Sequence, residues 1–328
     1  MMVDALGTVE LKSGEQMEIV RVAAPEPDWA DRILPFLAHK MEPWQWQMQV
    51  AFSEGLPGAI QYYYEGVLDG TIVGNIMTIE AMDAPIGILG HVFTPEEQRR
   101  KGIASRLMEA LTNDFRARNG RALFLHTGYN TPPYHIYETW GFVGYRDTGT
   151  MAWLLEEDFW AKHFAPRPVA PRETNWGDWA ALEALGEADG GWHIRSIFLN
   201  QHGFGGFEAP YLQVRRGLME ERVRDFKVLG ADDGAAMGFA LLAPWKSFPG
   251  SPLVLDTFVH PDFIADAPAL VQAVELPDEQ RVLAFSDSGS EGRAEALLSA
   301  GFAEEATIRA AATDDAGDTL DLVVFARG

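Results

Sequence analysis

The chain has 328 residues, 47% hydrophobic and 11% aromatic, with 26 Lys and Arg against 48 Asp and Glu and a formal net charge of −22. That is a globular composition with room for two domains, it contains no apolar run of the ~18 residues a membrane helix needs, and its field repels polyanions, which argues against nucleic acid or an anionic membrane as the main partner. With no cysteine there is no disulfide, thiol nucleophile or thiolate metal site. The opening stretch lacks the basic and apolar regions of a secretory signal, so a cytoplasmic protein is expected. The acidic surface suits a cationic acceptor such as an amine and equally serves solubility.

Residues 18–23 read as a short strand, and 28–55 as helical material interrupted at Pro35 and Pro43. Two β-rich runs follow, joined by the turn pair Asp69-Gly70, and then a strand over 86–94. From Gly102 the period changes: Ile103, Leu107, Leu111 and Phe115 recur every fourth residue, with Gly120 expected at C′. A strand (121–128), a short helix opening on Pro132 and Pro133, and another strand complete the half. The Pro-rich segment 163–173 reads as an interdomain linker.

The second half repeats the first in weaker form. Residues 122–142 align without a gap on 282–302, each running strand, Gly-containing loop, helix, Gly-Phe; "HVFTP" (91–95) likewise resembles "TFVHP" (257–261). An α/β protein of two copies of one unit is expected.

The stretch "EEQRRKGIASRL" (96–107) places Arg99, Arg100 and Lys101 between a strand and a helix. A helix N-terminus offers unpaired amides and partial positive charge, and a glycine there lets an anion approach the backbone. The nucleoside-triphosphate P-loop pattern is absent, and no Gly-x-Gly-x-x-Gly follows a strand. Residues 99–104, Arg-Arg-Lys-Gly-Ile-Ala, resemble the acetyl-CoA signature of the GNAT superfamily of N-acetyltransferases. Asn130, Tyr137, Glu138, Gly141 and Phe142 resemble its second landmark with the same spacings. Pro95 lies one residue nearer the strand than is usual, and Pro133 stands where Ala is the norm.

That resemblance implies two tandem GNAT-like domains: a catalytic domain over 1–162, the linker 163–173, and a degenerate copy over 174–328. It implies an acetyl-CoA-dependent N-acetyltransferase acting on a primary amine of a small molecule or peptide by direct attack in a ternary complex. The pyrophosphate would rest on Arg99, Arg100, Lys101, Gly102, Ile103 and Ala104, and the pantetheine arm would pair near Val92 and Thr94. Tyr137 matches the position that protonates the leaving thiolate, since a phenol with a pKa near 10 can deliver that proton; packing under the cofactor is its alternative. Asn130 either binds the cofactor arm or caps the following helix.

For the general base His91, Glu80 and His126 are all open, as is a water-mediated route; His91 could equally be a core histidine. Trp44 and Trp46 are candidate walls for the amine by cation–π attraction, or simply a packed helical pair. No metal-ligand spacing is present. In the second half, 262–273 lacks cations and glycine, and Leu297 stands where Tyr137 does, so CoA binding is not expected there. The segment 190–207 reads as an irregular surface loop or one lending groups to the active site. A non-catalytic acyl-CoA sensor or interaction module is the rival class, and a homodimer is left open.

Overall fold

The structure, a computed structural model, describes residues 2–203, 205–245, 252–314 and 316–328. Two compact units divide the chain: the first runs to Phe159 and takes in Asn175–Ala180, and the second comprises Trp160–Thr174 and Ala181–Gly328.

In the first unit β1 (Val3–Glu10) and β2 (Gln16–Ala24) form a hairpin, followed by α1 (Pro27–Phe36), α2 (Glu42–Ser53), β3 (Ala59–Leu68), β4 (Thr71–Ala81) and β5 (Ile86–Phe93). Then come α3 (Ile103–Ala117), β6 (Ala122–His126), α4 (Pro132–Glu138), β7 (Val143–Gly144) and β8 (Thr150–Leu154). The sheet order is β1-β2-β3-β4-β5-β6-β8-β7, with β5 and β6 parallel and the other pairs antiparallel. The period-four stripe of α3 does what its spacing requires: Ile103, Leu107, Leu111 and Phe115 are buried in one cluster with Ile76, Leu89 and Leu123 of the sheet. Asp69 and Gly70 both take positive φ, as a tight β3–β4 hairpin demands.

Three local expectations are refined. β1 was not anticipated by the sequence pattern. The expected break in the helical material falls between the two prolines, with Pro35 in the last turn of α1, where only one backbone bond is lost, and Pro43 in the first turn of α2. The left-handed residue closing α3 is Asn119 (φ 60°), and Gly120 follows it, donating back to Phe115 O at 2.9 Å.

After β8 the chain forms α5 (Phe159–His163), β9 (Val169–Glu173), α6 (Asp178–Glu187, its first three residues in the first unit), β10 (Ile194–Ser196), β11 (Gln201–His202) and α7 (Glu208–Met219). β12 (Asp225–Ala231), β13 (Ala236–Pro244), β14 (Leu253–Val259), α8 (Ala267–Gln272), β15 (Val282–Asp287), α9 (Arg293–Ser299), β16 (Ala303–Thr313) and β17 (Thr319–Arg327) complete it. The sheet order β9-β12-β13-β14-β15-β17-β16 repeats β2-β3-β4-β5-β6-β8-β7, with β14 and β15 as its parallel pair. The segment 163–173 is therefore not a free linker. Residues 169–173 pair with β12 along their whole length, and an edge strand tolerates Pro171 because its open side needs no N–H. The expected boundaries at 162 and 174 accordingly shift to those of the two compact units.

Candidate functional site

The chain leaves β5, makes a 3-10 turn at Glu96–Gln98 and enters α3 through Gly102, whose φ is +90°. That angle, rather than lack of space, is what calls for glycine: a Cβ there would meet only the Lys12 side chain, 3.6 Å away. The first ladder bond of the helix runs from Arg106 N to Gly102 O at 3.1 Å, so the amides of Ile103, Ala104 and Ser105 precede the ladder. They border a pocket of about 240 Å³ that also touches Thr94, Gln98, Arg99 and Arg100. Thr94 Oγ1 and Gln98 Oε1 are buried there with no hydrogen-bond partner among the described residues. Helix amides, two guanidinium groups and an unsatisfied hydroxyl fit a diphosphate.

Lys101 departs from expectation. Its ammonium pairs with Glu15 at 2.9 Å, and its carbonyl accepts from Lys12 N at 3.0 Å, so this cation anchors the β1–β2 turn. In exchange the turn brings Lys12 to the pocket. Sequence reasoning missed Lys12 because only the hairpin fold places it beside residues some ninety positions later.

β5 and β6 pair at Ile86↔Ala122, Gly87↔Leu123 and Ile88↔Phe124, and no further, although both strands continue. Beyond that point the two strands are no longer paired, which opens a cleft between them. On its other edge β5 takes three steps, Gly90 to Phe93, against two of β4, Asn75 to Met77. The bulge puts His91 at φ +50°, and Asn75 Nδ2 holds it by donating to His91 O at 2.7 Å. Val92 lies partly buried against the α3 core, and Thr94 continues from the strand into the pocket at the start of α3.

The His91 imidazole is buried, with Nε2 lacking a hydrogen-bond partner among the described residues. Burial above all, then the charges of Lys40 and His39, push its pKa down to about 3. It is neutral at physiological pH and too weak a base to hold an ammonium proton. Glu80 is committed elsewhere: its carboxylate accepts from Thr78 Oγ1 at 2.7 Å and Arg118 Nη2 at 2.9 Å, and a second Arg118 nitrogen also contacts it. Arg118 in turn donates to Asp114 at 3.0 Å, which accepts from Arg21 and Tyr64 at 2.6 Å each. This lattice ties the end of α3 to β2, β3 and β4. His126 ends β6 exposed, with Nδ1 3.3 Å from Thr150 Oγ1.

Tyr137 sits half-buried on α4, its ring edge-on to Phe142 at 5.7 Å. Asn130 (φ 55°) does not cap α4; Thr131 occupies that position, and Asn130 Oδ1 is 2.9 Å from His135 Nε2. Trp44 meets His91 edge-on at 5.3 Å and stacks on Trp179 at 5.9 Å, while Trp46 packs near Trp176 at 6.0 Å. Residues two apart on a helix point to different sides, so the two indoles do not form one wall. Trp44 reaches the β5 bulge.

The second unit opens the same cleft: β14 and β15 pair over Leu253↔Val282 to Leu255↔Ala284 and then part. Here the chain fills it. Ser196 Oγ donates to Asp256 at 2.6 Å, the amides of Ile197 and Phe198 donate to the same carboxylate at 2.9 and 2.8 Å, and Ile194 N donates to Asp287 at 3.1 Å. The segment expected as a surface loop is thus the β10–β11 hairpin, with Trp192, Ile194, Arg195 and Ser196 buried; Phe204 of that segment lies outside the described residues.

Residues 27–142 match the model of the acetyltransferase (GNAT) family. The matched residues all lie within the first unit. Among solved structures the chain is similar to a GNAT-family acetyltransferase from Staphylococcus aureus Mu50, at 14% identity over 43% of this chain and 99% of that one, with a TM-score of 0.35. It is similar to the GNAT domain of S. lividans PAT at 12% identity, over 45% and 96% of the two chains, with a TM-score of 0.36. A GNAT-family acetyltransferase from Brucella melitensis in complex with acetyl-CoA shares 17% identity over 42% and 88%, with a TM-score of 0.32. No curated protein matches the chain. Among the described residues no helix is long and apolar enough to cross a membrane, and no group of three or more metal-ligating side chains occurs.

Proposed function

We propose that the first unit is an acetyl-CoA-dependent N-acetyltransferase that acetylates a primary amine by direct attack in a ternary complex. The observation that carries this reading is the continuity of two features at the end of β5: the β5–β6 cleft and the phosphate-sized pocket share that strand's end, through Thr94. Bound acetyl-CoA supplies an acetyl thioester, whose carbonyl carbon gains the amine nitrogen and loses the sulfur.

The chain's own groups do the rest. Arg99, Arg100, Lys12 and the amides of Ile103 to Ser105 hold the pyrophosphate; backbone at Val92 and Thr94 orients the arm. The Tyr137 phenol donates its proton to the departing thiolate. The amine's proton leaves by water, since Arg118 holds Glu80, burial makes His91 too weak a base, and desolvation weakens His126 as well. Without cysteine, no thiol is present to carry the acetyl group, which favours direct attack. The second unit is a degenerate copy whose cleft is closed to CoA by its own hairpin.

Titration calorimetry with acetyl-CoA, run beside a thiol-release assay on an amine panel, tests this. Gly102→Glu puts a Cβ at φ +90° and a carboxylate beside the pyrophosphate, and acetyl-CoA binding is expected to weaken at least about tenfold. Unchanged binding in that variant refutes the site. Binding in the parent protein without turnover of any amine refutes the enzyme and leaves a sensor.

A further inference from the structure

The α1–α2 connection brings to the acyl end of the cleft a charge that the reaction described above does not use. Gln45 Nε2, from α2, donates to Ala38 O at 2.6 Å and to Lys40 O at 2.7 Å, and Lys40 N donates to Leu37 O at 3.0 Å. This clamp sets residues 38–40 over the β5 bulge. The His39 ring lies on Phe93 with centroids 3.9 Å apart, Phe36 meets the same phenyl edge-on at 5.2 Å, and Trp44 approaches His91 from α2. Lys40 stands among them, close enough that its charge depresses both His91 and His39.

Lys40 is half-buried, and no carboxylate lies within ion-pair distance of it among the described residues. Burial lowers its pKa, the sign of an ammonium whose lost hydration nothing has replaced. In a chain with 48 acidic residues that isolation is notable, for Lys101 and Lys227 both have carboxylate partners. Glu42, at the start of α2, is exposed, and the other titratable groups around Lys40 add no negative charge. Burial favours the uncharged forms of His39 and His91, and Glu65, on β3, is buried so completely that its carboxyl is driven well above the ordinary range. Both Glu65 oxygens lack hydrogen-bond partners among the described residues.

We propose that the acceptor is a small amine bearing an anionic group close to its amino nitrogen, an amino acid in the simplest case, and that Lys40 binds that group. This rests on the acetyltransferase reading above. A site with an unpaired cation and no opposing carboxylate repels a polyamine. It accepts an amine that brings its own counter-charge, and the field of Lys40 then favours the neutral, nucleophilic form of the amino group. The imidazole and indole edges of His91 and Trp44 enclose the uncharged part.

The test is a thiol-release assay with acetyl-CoA on matched pairs: amino acids against their carboxamides, with polyamines as a third arm. The parent protein is expected to favour acids over carboxamides by about tenfold or more in kcat/KM. Lys40→Ala is expected to collapse that ratio toward unity, and Lys40→Arg to keep most of it, while acetyl-CoA affinity by calorimetry stays the same in both. Equal turnover of acids and carboxamides, preference for polyamines, an unchanged ratio in Lys40→Ala, or no turnover of any acid while acetyl-CoA binds each overturns the proposal. Failure of the parent protein to bind acetyl-CoA would instead overturn the underlying acetyltransferase reading, and this proposal with it.

Discussion

Replacing Glu80 by Gln separates a structural carboxylate from a catalytic one. In the folded protein this carboxylate accepts from Thr78 Oγ1 at 2.7 Å and from two Arg118 nitrogens, with side-chain exposures of 9% for Glu80 and 26% for Arg118. The amide keeps one acceptor, loses the charge, and turns an N–H₂ toward a guanidinium that can only donate. Breaking a fully buried pair costs about 3–5 kcal/mol. Arg118 is partly hydrated and keeps Asp114 at 3.0 Å and the Tyr64 hydroxyl at 3.1 Å, so the expected loss is nearer 2 kcal/mol. That corresponds to about 4–8 °C in the melting of a unit this size. Urea unfolding and the thiol-release assay, run on the same preparations, should show lower stability with turnover within about threefold of the parent. A fall in kcat of about 100-fold or more with unfolding unchanged would make Glu80 the base and refute its assignment to the α3 lattice.

Two further outcomes follow from the site. Tyr137→Phe is expected to lower kcat by about 10²–10⁴, the usual worth of a positioned acid, with acetyl-CoA affinity by calorimetry nearly unchanged. Loss of affinity with kcat retained would reduce Tyr137 to packing. His91 titrates at about 3 in the folded protein, below its unfolded value near 6.5. Between those values the unfolded chain binds the extra proton, so His91 stabilises the fold above about pH 6.5 and that contribution drains away as pH falls toward 3. His91→Gln should therefore flatten the acid limb of stability in that window, by up to about 1.4 kcal/mol per pH unit, and leave no imidazole inflection missing from the kcat profile. An inflection near pH 6.5 that disappears in this variant would show that His91 does titrate in catalysis.

Much of the first unit was legible because its signals are local. A stripe every fourth residue can only be buried by a helix lying on something, and Ile103, Leu107, Leu111 and Phe115 lie on the sheet. The glycine at 102 announces a positive φ before a helix, and the aligned segments 122–142 and 282–302 announce a repeated unit whose sheets share one strand order. β1 was not legible, since its pairing depends on a partner strand beyond a turn and its own burial is slight. Likewise Pro171 read as a linker residue because a proline in isolation carries no sign of whether its strand will be an edge.

What the sequence alone determined is the α/β class, the period of α3, the positive-φ glycine at its entrance and the loss of cations and glycine at the matching place in the second copy. What only the tertiary structure decided is which charges are spent and which remain. Lys101 and Glu80 looked available, but Glu15 and Arg118, far from them in the chain, neutralise them. Lys12 and Lys40 looked ordinary, yet folding brings the first to the pocket at the start of α3 and leaves the second near His91 with no ion-pair partner among the described residues. A residue's type sets its chemistry, whereas its pKa and partners depend on neighbours that only long-range packing supplies.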